Sequence, residues 1–228
     1  IQGTNDQSKV VGIHPGHHRH WHYLLVLMNE SDSFKTVATE TKIEFQEKGS
    51  RFIGQIFPVQ NESACRKIIQ EQKSLHPSAN HVCYAFRLGA NECLQRSSDA
   101  GEPAGTAGDP ILRQLIKYEL SYVMITVVRY FGGKKLGVQG LIRAYRSTAE
   151  EVIKKSKIKN GYLYLTVTLN FPYTYMDRVM RMVDRYHMKI IIRKFESECL
   201  LKCDIRAGKR EELIDALSPY HEIKIELE

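Results

Sequence analysis

Two glycine-rich stretches hold the residues with the most chemical potential: SSDAGEPAGTAGDP at 97–110 and VVRYFGGKKLGVQGLIRAY at 127–145. The second places Gly132, Gly133, Gly137 and Gly140 around Lys134 and Lys135, with Arg129, Tyr130 and Arg143 alongside. Glycines ahead of a helix let backbone N–H groups approach a phosphate, and the helix dipole favours the negative charge. Gly132 and Gly137 have Walker spacing, but Val138 and Gln139 occupy the places of the lysine and the metal-binding hydroxyl. The Gly-x-Gly-x-x-Gly dinucleotide fingerprint is also missing. Two readings stay open, a phosphate receptor without a nucleotide fingerprint and a turn in which glycine supplies positive φ.

The first stretch offers Asp99 and Glu102 as catalytic candidates, two acids able to act as acid and base or to bind a metal. Gly101, Pro103, Gly105 and Thr106 shape the same loop and join it to the binding candidates. Neither acid has a histidine or cysteine neighbour of catalytic pattern, so a rigid surface loop outweighs catalysis. A secondary basic patch is expected from Arg178, Arg181 and Arg185, one face of a helix over 174–186, with Lys189, Arg193 and Lys194 after it. Such a stripe can follow an RNA backbone, but Asp177 and Asp184 dilute it and a solvated helix face is the commoner explanation. Tyr130, Phe131 and Tyr145 can stack on bases; they adjoin apolar runs, so core packing is expected of them.

Composition sets broad bounds. With 43% apolar and 26% charged residues the chain reads as an ordinary soluble globular protein. The net charge of +7 permits an anionic partner without demanding one. Cys65, Cys83, Cys93, Cys199 and Cys203 contain no Cys-x-x-Cys pair, which points to reduced structural thiols in the cytoplasm and no metal. Cys199 and Cys203, four apart in a strand-like run, face one side. The run YLLVLM at 23–28 is too short to span a membrane. Five of the nine histidines fall in HPGHHRHWH at 14–22. The alternation of His18, His20 and His22 would suit a metal, but residues 1–27 are expected to be an accessory or non-native tail.

The elements that must position these groups follow from periodicity. Residues 34–59 alternate on either side of 47–50, as in a hairpin. A helix is expected over 62–75 with Asn61 as N-cap, and a strand over 81–89. Residues 97–110 read as a loop ending in Asp109-Pro110, an N-cap and first-turn proline. YVMITVVRY at 122–130 reads as a buried central strand. A long helix follows, its stripe made by Leu141, Ile142, Tyr145, Ala149, Val152 and Ile153. The expected domains are 28–155 and 162–228, with a polar linker at 156–161. The second domain has the element order βαββαβ.

Taken together, SDAGEPAGTAGDPIL and VVRYFGGKKLGVQGLIRAY resemble the signature of the IMPACT family, whose bacterial branch is called YigZ-like. The resemblance implies an α+β chain, a ribosomal protein S5 domain 2-like main domain followed by a ferredoxin-like βαββαβ domain. Eukaryotic members regulate translation under amino-acid starvation. They use an additional N-terminal RWD domain for which this chain has no room, so that mechanism does not carry over. Members commonly have two glycines where this chain has Gln139-Gly140. The expected function is a non-catalytic module that touches RNA, the ribosome or a protein of the translation apparatus, with no cofactor and no membrane. An enzyme acting on a nucleotide or phosphorylated substrate, and a protein-interaction adaptor, are the alternatives.

Overall fold

In the computed structural model the described residues are 32–90 and 94–227. The histidine-rich tail, with His18, His20 and His22, and Cys93 lie outside them. The chain divides into two compact units, Ser33–Gly161 and a second from Tyr162 onward that takes in Asp32. Both mix strands and helices.

The first unit contains β1 (Ser33–Val37), β2 (Thr41–Glu47), β3 (Ser50–Pro58), α1 (Glu62–Leu75), β4 (His81–Leu88), β5 (Leu94–Ser98), α2 (Gly108–Lys117), β6 (Val123–Tyr130), α3 (Gly137–Lys155) and β7 (Ile158–Tyr162). Five strands form one antiparallel sheet in the order β2-β3-β6-β4-β5. The β2–β3 hairpin turns at Lys48-Gly49, both with positive φ, the geometry that matches strand twist. β6 lies mid-sheet and is buried from Val123 to Arg129. Val123, Ile125 and Val127 face the core under α2 and α3, with Leu115, Leu141 and Tyr145. Met124 faces the other way, into a cluster with Cys65 of α1. Helices on both faces explain a strand that is apolar without alternation.

Asn61 caps α1 as its position predicts, its Oδ1 accepting from the Ala64 N–H at 2.9 Å. Two local expectations fail. Ser97 and Ser98, read as the start of a loop, end the edge strand Leu94–Ser98, which no apolar alternation marks because all five of its residues are exposed or half-buried. Asp109 is not the N-cap of α2. The helix begins at Gly108, Asp109 lies within its first turn, and its carboxylate accepts from the Ser97 hydroxyl at 3.0 Å. Residues 156–161, expected as a linker, run into β7, which pairs with β1.

The second unit contains β8 (Tyr164–Pro172), α4 (Met176–Arg185), β9 (Lys189–Phe195), β10 (Glu198–Arg206), α5 (Arg210–Leu217) and β11 (Lys224–Leu227). Its antiparallel sheet has the order β11-β8-β10-β9. Alternate residues Val167, Leu169 and Phe171 meet Val179 and Val183 of α4 and Leu213 and Leu217 of α5. Cys199 and Cys203 lie in this core on one side of β10, as their spacing requires, and both are free thiols. Among the described residues no helix is long and apolar enough to cross a membrane.

Candidate functional site

The two glycine-rich stretches meet. β6 delivers Arg129 to the α2/α3 side of the sheet, and the loop after β5 delivers Glu102. Arg129 Nη1 donates to Glu102 Oε1 at 2.6 Å, and both side chains are more than nine-tenths buried. Tyr145 of α3 donates its hydroxyl to the same oxygen at 2.8 Å. The Cys83 thiol lies 3.3 Å from that hydroxyl and 3.0 Å from the Asp99 carbonyl. His81 donates through Nδ1 to the Ala100 carbonyl at 3.0 Å, which sets Nε2 3.8 Å from Glu102. Burial drives the Tyr145 pKa up, and the neighbouring Cys83 and Glu102 raise it further, so this phenol stays a donor. Burial pushes the Cys83 thiol up to about 12, the hydrogen bond with Tyr145 offsetting part of the rise. Cys83 is therefore no thiolate nucleophile at neutral pH.

Asp99 has a different task. Its Oδ2 accepts from the Gly105 N–H at 2.8 Å, and its Oδ1 from Ala107 at 2.9 Å and Gly108 at 2.8 Å. It thereby supplies the N-terminal cap of α2 that Asp109 does not. Partial burial works to raise its pKa, but the three backbone donors outweigh burial and hold the carboxyl below its usual range. Asp99→Ala should lower stability at pH 7 by about 1–2 kcal/mol, the cost of a lost cap, in urea denaturation. The folded chain holds this proton less tightly than the unfolded chain. The contribution is thus complete above the ordinary carboxylate range and is lost as pH falls through the depressed value. The gap between wild type and variant should close in acid.

Around this pair the loop 131–136 is fastened from below. Ser50 Oγ accepts from the Gly132 N–H at 3.2 Å and from Arg129 Nη2 at 3.4 Å. Asn80 Oδ1 accepts from the Phe131 N–H at 2.8 Å. A Cβ on Gly132 would fall 1.9 Å from the Gly49 carbonyl carbon, so the loop rests directly on the β2–β3 turn. Gly133 and Gly137 have φ of +81° and +70°, and an added Cβ would meet nothing within 4 Å at either. Lys134, Lys135, Gln139 and Arg143 are exposed, while Gly140 is buried in the first turns of α3. The side chain of Gln139 therefore does not plug the start of the helix. That start has no side-chain cap and no acidic residue in its first turn.

The structure thus joins Glu102 to Arg129, ties Gly132 to that pair through Ser50, and leaves Gly101, Pro103, Gly105, Lys134 and Lys135 exposed. Thr106 is buried, its hydroxyl donating to the Pro103 carbonyl at 2.7 Å. Arg129 is no surface cation: it is neutralised by Glu102, and its Nε lacks a partner. Tyr130 is half-buried, with the Arg51 guanidinium 4.5 Å over its ring. Arg178, Arg181 and Arg185 are exposed on α4 of the other unit, where Arg178 lies 4.3 Å over the Tyr220 ring. Among the described residues no group of three acidic, histidine or cysteine side chains is arranged to hold a metal. Ser50, Asn80 and Cys83 belong to the site without any sequence signal, because each acts from an element far along the chain.

The family model described as Impact N-terminal domain matches residues 48–153, which contain this whole arrangement. The IMPACT family member YvyE of Bacillus subtilis (strain 168) is 36% identical over 147 residues, 64% of this chain and 68% of YvyE. The IMPACT family member YigZ of Escherichia coli (strain K12) is 30% identical over 182 residues, 79% of this chain and 89% of YigZ. Among solved structures, the crystal structure of a hypothetical protein is similar at a TM-score of 0.68 with 27% identity, covering 86% of this chain and 97% of that one.

Proposed function

Because the chain belongs to the IMPACT family, we propose that it is a non-catalytic, cytoplasmic translation regulator that binds RNA or the ribosome through the two glycine-rich loops of its first unit. The buried Glu102–Arg129 pair carries this reading. It fixes both loops as one surface and leaves Lys134, Lys135 and Arg143 as the exposed cations of the signature. The uncapped start of α3 adds backbone donors for a phosphate. The strand orders β2-β3-β6-β4-β5 and β11-β8-β10-β9 support reading the units as S5 domain 2-like and ferredoxin-like. Fold does not by itself assign function; the exposed cations of the loops point to it. The four described cysteines are free and buried, which suits a reducing compartment.

The test is binding to ribosomes and to ribosomal RNA across a salt series. Lys134→Glu with Lys135→Glu should weaken binding at least about tenfold and flatten log Kd against log salt by about 1.4–1.8, the contribution of two phosphate contacts. An unchanged salt slope would remove these lysines from the interface, and no binding at low salt would remove the function.

An enzyme is the second reading. It is favoured by one observation, the chain of contacts that links buried Cys83 to Tyr145, Tyr145 to Glu102 and Glu102 to the half-buried His81. A nucleotide that binds only the folded chain raises its Tm, so a panel of nucleotides and sugar phosphates with uniformly flat melts would count against it.

A further inference from the structure

Phe131 is the exception among the aromatics of the signature. Tyr145 is fully buried and Tyr130 lies under Arg51, but Phe131 is 46% exposed at the head of the glycine loop. Core packing, the role that its apolar neighbourhood predicts, does not account for it. Its position is nonetheless fixed. The backbone N–H is tied to Asn80, and the next residue is wedged against the hairpin turn. The Arg129 guanidinium stands 5.6 Å from the ring centroid and is itself pinned by Glu102. A ring carried on backbone that is already held in place loses less freedom on meeting a ligand than one on a mobile loop.

Its surroundings select the ligand. Lys134 and Lys135 follow within the same exposed loop, and Lys48 is exposed on the turn that Gly132 touches. An exposed aromatic beside clustered lysines is the combination that grips single strands: bases stack on the ring and phosphates meet the cations. In a duplex the bases are already stacked on one another and cannot offer a face to a protein ring. Resting on the RNA-binding reading of this same surface, we propose that the loop takes single-stranded RNA. Phe131 stacks on an unpaired base, and Lys134 and Lys135 hold the neighbouring phosphates.

Fluorescence anisotropy of the full chain tests this, using a fluorescein-labelled 12-nucleotide oligo(rU) and a labelled 12-base-pair RNA duplex at equal salt. The single strand should bind at least about tenfold more tightly than the duplex. Phe131→Ala should weaken single-strand binding about tenfold or more, the usual effect of losing one stacked base, with the salt slope unchanged because no charge is removed. Phe131→Trp should retain the affinity, which separates stacking from any disturbance of the fold. If Phe131→Ala binds oligo(rU) like the wild type, or the duplex binds as tightly as the single strand, the inference is overturned. In that case the RNA-binding reading survives provided that Lys134→Glu with Lys135→Glu still weakens binding. If neither RNA binds, the inference and the reading fall together.

Discussion

Glu102→Ala should destabilise the first unit by about 3–5 kcal/mol, because it leaves Arg129 buried without its counter-charge. The guanidinium has little else to turn to: Nη2 reaches Ser50 only at 3.4 Å and Nε has no partner. The Tyr145 hydroxyl also loses its acceptor in a fully buried position, which adds about 1–3 kcal/mol of unsatisfied hydrogen bonding if water does not enter. Arg129→Met should cost a similar amount by stranding the carboxylate. The pair itself is not expected to be the more stable alternative. A buried ion pair replaced by apolar groups of like volume is often neutral, so Glu102→Leu with Arg129→Met and Tyr145→Phe should recover most of the loss. Urea denaturation followed by far-UV circular dichroism, with hydrogen exchange in β6 to assign the transition, measures each step. A Glu102→Ala loss below about 1 kcal/mol, the value of an exposed pair, would show that water already reaches this site. The triple variant also has a functional use. If it folds but no longer binds RNA, the ion pair is present to hold the two loops in one surface rather than to stabilise the chain.

This network marks where sequence reasoning stops. Glu102 and Arg129 are 27 positions apart, Tyr145 is 43 from Glu102, and Ser50 is 79 from Arg129. Local spacing carries no record of such contacts. What local spacing does carry was legible. Asn61 caps a helix three residues ahead of its donor, and the unbroken apolar run of β6 announces a strand covered on both faces. The contrast between Asp99 and Asp109 shows the boundary most sharply. Asp109 has the preferred residue type in the expected place, beside a proline. Yet the donors of α2 are met by Asp99, nine positions before Gly108, because the loop folds back on itself through Ala100 and Gly101, both with positive φ. Arg129 was legible as a conspicuous cation, but its burial was not, since its partner sits in the other loop. Phe131 was misread for a related reason. An aromatic at the end of an apolar strand looks like core, but past the end of β6 the described residues leave it 46% exposed.

The glycines give the second large effect. Gly132→Ala places a methyl group 1.9 Å from the Gly49 carbonyl carbon, 2.0 Å from its oxygen and 2.3 Å from the Ser50 nitrogen. These are backbone atoms of a hairpin turn, held by the β2–β3 ladder, and no rotamer change can yield the space. Either the turn or the loop must move, and the hydrogen bonds that Gly132 and Arg129 donate to Ser50 go with it. A loss of about 3 kcal/mol or more is expected, at the upper end for overpacking. Gly133→Ala is the control one residue away. Its added methyl meets nothing within 4 Å, so the cost is only that of holding an L-residue at φ +81°, about 1–2 kcal/mol. The two variants should separate on binding in the opposite sense. At a temperature where both remain folded, Gly133→Ala sets a side chain in the open space that a phosphate would use, and its RNA affinity should fall by more than its stability does. Gly132→Ala should lose binding only in proportion to the displaced loop. Equal stability losses in the two variants would mean that the loop does not rest on the turn. A Gly133→Ala protein with wild-type affinity would leave positive φ as the whole reason for glycine at that position.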